Sequence, residues 1–438
     1  MRKRFYLLSL GCPKNTVDSE GVNTLLEHAE WESVTQPEQA DLLIVNTCGF
    51  IAPAREESYA ALRELARSKR RGQRLLAIGC LSQRYGQEVQ RQVPGVDGCL
   101  GTREWAKIVP CVQELMGLAP TTLVRPHDQV SVVTAMIRQA PGPSAYLKIA
   151  DGCSAPCAFC AIPLIKGPQR SKPQAAILQE ARELVSQGVQ EIILIAQDTT
   201  AYGRDLGQTD ALPDLVTSIL ENVPQLPWLR LMYAYPQHVT PRLIQTMASH
   251  PSVCHYLDLP LQHAHPGTLR RMKRSPDVNA VRDLIVALRQ AMPDIALRTA
   301  FIVGYPGETQ AEFETLLRFM CEMRFDKVGL FRYSPEEGTV AVDLPGRVSD
   351  EVAEQRYARA MELQRGISLQ RNKMQVGRVL QVLVEGTGDG MTVGRCYRDA
   401  PEIDGYVLLR GEWEVGGMVR ARIERAMEYD LVGTVLPD

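Results

Sequence analysis

Cys153, Cys157 and Cys160 stand in the run Asp151-Gly-Cys-Ser-Ala-Pro-Cys-Ala-Phe-Cys, which sets three thiols at C-x3-C-x2-C spacing on one short loop. Such spacing suits a metal cluster far better than a disulfide. Three thiolates hold three irons of a cubane and leave the fourth without a protein ligand, an open position where a small molecule binds and reacts. The plain alternatives are a zinc knuckle and a chance group of buried cysteines. Tetrahedral zinc wants a fourth Cys or His at short spacing, and none follows Cys160 before Pro168.

Three more cysteines gain meaning from the elements that carry them. Apolar runs at 5–10, 41–45, 74–78 and 96–100 alternate with helical patterns, the first helix starting near Asp18, and predict a parallel α/β domain. Cys12, Cys48 and Cys80 each lie just past the carboxyl end of one of these strands. In an open parallel sheet those ends share one edge, where ligands bind. Each cysteine alone reads as a small buried hydrophobe; jointly the three favour a second cluster. Cys99 also falls near a strand end, and it is assigned to packing together with Cys111, Cys254, Cys321 and Cys396.

The stretch 118–144 is irregular and proline-rich and reads as a linker with one strand near 130–135. Six strand-like runs follow, at 145–150, 191–196, 228–233, 255–259, 296–303 and 327–333, separated by helical patterns. They predict a partial (βα)6 barrel, whose site would sit at the carboxyl ends of its strands. The cysteine loop follows the first strand, Gln197-Asp198 the second, Tyr235-Pro236 the third, Gln262-His263 the fourth and Gly304-Tyr-Pro-Gly307-Glu308 the fifth. Phe159, Gln197, Gln262, Arg298 and Gly304 are the candidate cofactor contacts. Each also has a structural reading: satisfied loop residues, a turn at Gly304, and an ion pair for Arg298, which lies on a strand rather than after one.

From about Gly377 the texture changes to about five short strands, which suggests a small closed or partly open β-barrel. Residues 371–438 carry nine Lys or Arg against eleven Asp or Glu, where a barrel gripping RNA would normally be basic.

The 438 residues, 45% hydrophobic and 23% charged, allow two or three domains with real cores. A net charge of -2 gives no global case for nucleic-acid binding. Eleven cysteines cannot all pair, and the tight triad suits reduced thiols, so a cytoplasmic setting is expected. The apolar run after Met1-Arg-Lys-Arg is too short for a secretory core, and no later run approaches a membrane span.

The loop with Phe159 before its last cysteine resembles the signature of radical S-adenosylmethionine (SAM) enzymes. The resemblance implies a 4Fe-4S cluster that chelates SAM on its open iron and, once reduced, releases a 5'-deoxyadenosyl radical. The whole chain resembles the methylthiotransferase family: an N-terminal domain with three separated cysteines (1–118), a linker (119–144), a radical SAM partial barrel (145–375) and a C-terminal TRAM barrel, OB-like in form (376–438). Ser9-Leu-Gly-Cys-Pro-Lys-Asn-Thr-Val-Asp-Ser-Glu20, the stretch 151–171 and Leu259-Pro-Leu-Gln-His263 bring it nearest the type that modifies a ribosomal protein. That type implies methylthiolation of an aspartate β-carbon in the twelfth small-subunit ribosomal protein, with two SAM, an external one-electron reductant and no membrane. By resemblance Cys153, Cys157 and Cys160 hold the SAM-cleaving cluster, and Cys12, Cys48 and Cys80 an auxiliary cluster for sulfur delivery.

Two other functions compete. tRNA methylthiolation would want a cationic face with exposed aromatics on the C-terminal barrel. A non-catalytic iron–sulfur carrier would want four ligands per cluster, and each cysteine set offers three.

Overall fold

The computed structural model describes residues 3–118, 138–140 and 142–437. The strand expected near 130–135 lies outside them.

The first unit comprises β1 (Arg4–Ser9), α1 (Pro13–His28), β2 (Glu32–Ser33), β3 (Leu42–Thr47), α2 (Ala52–Ser68), β4 (Arg74–Gly79), α3 (Cys80–Gln92), β5 (Gly98–Gly101) and α4 (Ile108–Leu115). Its sheet has the order β2-β1-β3-β4-β5 and is parallel throughout. Every residue of the central strand β3 is buried, as expected where helices cover both faces. The helix expected near Asp18 starts five residues earlier, at Pro13: Cys12 is its N-cap, and proline is well suited to a first turn where its missing N–H costs nothing.

The second unit runs through β6 (Ser144–Lys148), β7 (Ala150–Asp151), α5 (Ile162–Lys166), β8 (Arg170–Ser171), α6 (Gln174–Ser186), β9 (Glu191–Ile195), α7 (Leu212–Asn222), β10 (Trp228–Leu231), α8 (Pro241–Ser249), β11 (Val253–Asp258), α9 (Pro266–Arg271), α10 (Val278–Ala291), β12 (Ala296–Val303), α11 (Gln310–Met323) and β13 (Lys327–Arg332). Its six main strands pair in parallel in chain order, β6-β9-β10-β11-β12-β13, and β6 does not pair with β13. This is the expected partial barrel, open on one side.

The 24-residue helix α12 (Asp350–Lys373) leads to a closed barrel of β14 (Val379–Gly388), β15 (Met391–Cys396), β16 (Val407–Arg410), β17 (Met418–Ala426) and β18 (Leu431–Val435). The other two units fill the interior of the open one. Val17 of α1 and Leu383 and Ala400 of the C-terminal barrel join the inward-facing Tyr146, Ile193, Trp228, Met232 and Tyr256 in one buried cluster. Buried ion pairs fasten the C-terminal barrel there: Arg395 meets Glu191 at 2.6 Å, Lys327 meets Asp399 at 2.7 Å, and Arg398 meets Asp326. These contacts bury Arg395, Arg398 and Asp399 together, and the acid excess counted from the sequence is not an exposed acidic face. Lys373, Arg378, Arg410, Arg420, Arg422 and Arg425 are exposed against Asp389, Glu402, Glu412, Glu414, Glu424 and Glu428, an even balance among the described residues.

Among the described residues no helix is long and apolar enough to cross a membrane.

Candidate active site

The cysteine loop leaves β7 through Gly152, whose φ of +71° and position decide its identity. A Cβ there would come within 2.7 Å of the Gly167 carbonyl, so only glycine lets the chain turn against the strap that closes the loop. Cys153 N–H donates to Gly167 O at 3.0 Å, Cys160 N–H to Cys157 O at 3.2 Å, and Ala158 N–H to Met272 O at 3.0 Å. All eleven cysteines are free, and Cys153, Cys157 and Cys160 are half-buried.

Two donors already serve these sulfurs. Ala155 N–H points at Cys153 Sγ (3.4 Å), and Arg274 Nη1 at Cys157 Sγ (3.6 Å). Arg274 is itself fixed by donating to Pro260 O at 2.6 Å and by lying 4.0 Å from the ring centre of Tyr235. Burial pushes the Cys160 thiol up to about 12 and raises Cys153. The bare thiols of Cys153 and Cys160 therefore stay protonated, and iron must displace their protons on binding.

The second triad is assembled by one residue that sequence reading passed over. Asn15, on the first turn of α1, donates through Nδ2 to Leu10 O (2.9 Å) and Thr47 O (3.2 Å) and accepts from the Cys80 thiol at 3.6 Å. It thus ties together the three strand ends that precede or carry Cys12, Cys48 and Cys80. Cys48 is clamped by Ser58, whose Oγ accepts from Cys48 N–H at 2.9 Å. Gly11, at φ +96°, has no room for a side chain, since a Cβ would sit 2.8 Å from Cys48 Cβ. Burial pushes the Cys80 thiol up to about 12, with the charges of Cys12 and Cys48 adding to the rise and Lys166 opposing it. No three His, Cys, Asp or Glu side chains among the described residues close around a single metal ion.

The two triads share one interface. Cys80 packs on Ala161 and Ile165, immediately beyond Cys160. Asp18 of α1 receives Lys148 and, at 2.8 Å, Lys166 of α5, and Arg103 donates to Ile165 O at 2.8 Å. Opposite, Glu336 is almost fully buried and pairs with Arg55 and with Arg84 (2.8 Å), which also donates to Gly49 O next to Cys48.

The expected cofactor contacts fall into two groups. Phe159 packs edge-on to Tyr305, with Tyr333 next in line, and Gln197 is half-buried just past β9. Gln262 adopts φ +72° and straddles β12, donating to Ala300 O and accepting from Ile302 N–H at 2.8 Å each. Gly304, also at positive φ, lies where a Cβ would meet Ala353 at 2.6 Å. Arg298 instead turns inward, pairing with Asp258 at 2.8 Å and reaching Asp404 at 3.6 Å. His263 is likewise engaged: its Nδ1 accepts from His265 N–H, so Nε2 carries the proton and donates to Glu308 at 3.2 Å.

Residues 4–101 match the Uncharacterized protein family UPF0004, residues 147–320 the Radical SAM superfamily, and residues 376–436 the TRAM domain. The ribosomal protein uS12 methylthiotransferase RimO of Chloroflexus aurantiacus is 49% identical, with 99% of this chain and 100% of the relative covered. The namesake from Geobacter sulfurreducens is 42% identical over 99% of each chain. The chain belongs to the RimO methylthiotransferase family. It is a radical SAM enzyme that transfers sulfur-containing groups. The radical SAM methyltransferase TsrM of Kitasatospora setae, solved with cobalamin and a 4Fe-4S cluster, shares the fold at a TM-score of 0.60 and 14% identity, covering 90% of this chain and 81% of its own.

Proposed function

We propose that this chain places a methylthio group on the β-carbon of an aspartate in ribosomal protein uS12. Cys153, Cys157 and Cys160 hold the 4Fe-4S cluster that binds SAM, and Cys12, Cys48 and Cys80 hold a second one. The observation that carries this reading is the shared interface of the two triads, with Cys80 packed on Ala161 and Ile165, in a chain related to uS12 methylthiotransferases over its whole length. When bound, the clusters and two SAM molecules supply a radical that removes hydrogen from an unactivated carbon and a methylthio sulfur that captures the carbon radical.

The chain's own residues prepare that chemistry. Ala155 N–H and Arg274 offer hydrogen bonds to the sulfurs of Cys153 and Cys157. Phe159, Tyr305 and Tyr333 give the rim an aromatic wall, and Gln197, Gln262 and Gly304 line the strand ends where SAM lies. Val17, Leu383 and Ala400 close the barrel interior to water. Residues 1–118, 145–375 and 376–438 form the three domains, joined by 119–144, and an external one-electron donor completes the system.

Anaerobic turnover of the reconstituted chain with SAM and reductant, offering uS12 and a tRNA mixture in parallel, tests this. A methylthio mass gain on uS12 is expected. Gain on tRNA alone would retain the radical chemistry and replace the substrate.

A further inference from the structure

The described residues contain five buried lysines, and four of them hold a carboxylate. Lys148 and Lys166 share Asp18, Lys172 meets Glu180 at 2.7 Å, and Lys327 meets Asp399 at 2.7 Å. Lys14 is the exception: it is 4% exposed and makes no hydrogen bond or ion pair with any described residue. A buried ammonium without an anion is costly. Its one close partner is the ring of Tyr233, 2.8 Å from Nζ to the ring centre, and a ring face only partly offsets lost hydration.

The position of Lys14 shows what it could hold. It stands two residues after Cys12, on the first turn of α1. Tyr233 lies just past β10, on the chain that leads to Tyr235 and so to Arg274 and Cys157. Tyr233 is held at φ +60°, a conformation that is strained for a non-glycine residue and that gathers at functional sites. Its N–H is tied down by Asp258 at 3.2 Å. The Cys12 sulfur is the first negative group to bear on Lys14, and the carboxylates near it are occupied elsewhere: Asp258 by Arg298, and Asp151 by Lys148 and Lys166.

We propose that Lys14 binds the side-chain carboxylate of the substrate aspartate between the two cysteine triads. The inference rests on the proposed reaction. In aspartate the carboxylate is bonded directly to the β-carbon, so anchoring it fixes the carbon that loses hydrogen and gains sulfur. A fixed cation there also selects aspartate over asparagine and over an uncharged nucleobase, because the wrong substrate leaves the ammonium buried without an anion.

The test uses the full chain with both clusters reconstituted, as wild type, Lys14→Met and Lys14→Arg, on uS12 and on uS12 with the target aspartate changed to asparagine. Wild type is expected to prefer aspartate by at least tenfold in kcat/KM. Lys14→Met is expected to keep its iron content and its SAM cleavage, raise KM for uS12 at least tenfold and lose the preference; Lys14→Arg should recover part of it. An undiminished preference in Lys14→Met overturns the inference. So does loss of iron from Lys14→Met, which would make Lys14 a support for Cys12. Wild type inactive on both forms of uS12 would defeat the proposed reaction, and the inference with it.

Discussion

Cys153, Cys157 and Cys160 are placed by one loop, held by its own turns and by Gly152, whereas Cys12, Cys48 and Cys80 are placed by three strands that end on one edge and are knitted there by Asn15. The first arrangement is local and carries its geometry in its spacing. The second exists only once β1, β3 and β4 have paired, so it depends on the sheet. Damage to the loop should abolish the radical, and damage to the sheet edge should leave the radical without a sulfur to meet.

The sharpest contrast is between Cys157→Ala and Cys48→Ala. The first should abolish formation of 5'-deoxyadenosine. The second should leave cleavage standing and stop methylthio transfer, as read by chromatography of both products. Intact methylthiolated uS12 from Cys48→Ala would break the assignment of the sheet-edge triad.

Asn15→Ala attacks the same triad without touching a thiol. It strips hydrogen bonds from the buried Thr47 carbonyl, the partly buried Leu10 carbonyl and Cys80, a loss of about 2–4 kcal/mol. Iron should fall from about eight to about four per chain, since only the loop cluster would survive. Full iron content would show that strand pairing alone holds the three cysteines together.

This difference also explains what was legible in the sequence. The loop triad is read from spacing, and the strand-end cysteines from the rule that parallel strands present their carboxyl ends together. Asn15 and Lys14 are invisible to both arguments, because an asparagine and a lysine early in a helix ordinarily face solvent. Lys14 is buried against Tyr233 of the second unit, and Asn15 against the strand ends of its own. Arg298 shows the reverse case: its strand suggests the cofactor, but Asp258 on the neighbouring strand pairs with it at 2.8 Å and Asp404 of the C-terminal unit lies at 3.6 Å. Summed charge is no guide to the surface either, since Asp399, Arg395 and Arg398 are all spent on the interface rather than displayed.

The seam between the two cysteine-bearing units should be looser than either triad. Glu336→Ala leaves Arg84 buried without its carboxylate, which should cost about 3 kcal/mol and lower the melting temperature. Both clusters should still assemble, but fewer methylthio groups should form per SAM cleaved. An unchanged ratio would mean that the remaining seam contacts, Asp18–Lys166 and Arg103–Ile165 among them, keep the triads in register.

The smallest effect at neutral pH, and one confined to acid, concerns the far end of the barrel. Burial opposes ionisation of Glu191, but Arg230 at 2.7 Å and Arg395 at 2.6 Å outweigh it and hold the carboxyl down at about 2, against an ordinary 4.5. A lowered folded-state value contributes stability above the unfolded value and loses it as pH falls towards the folded one. The window is therefore about pH 4.5 down to about 2, and the gap amounts to about 3 kcal/mol. Hydrogen exchange in β14 and β15 should weaken across that window and stay flat from pH 6 to 8. Glu191→Gln should be less stable at neutral pH and lose part of the acid dependence. If wild type and variant kept the same slope through the window, the hold of Arg395 on the radical SAM barrel would have to come from packing around Leu383 and Ala400 instead.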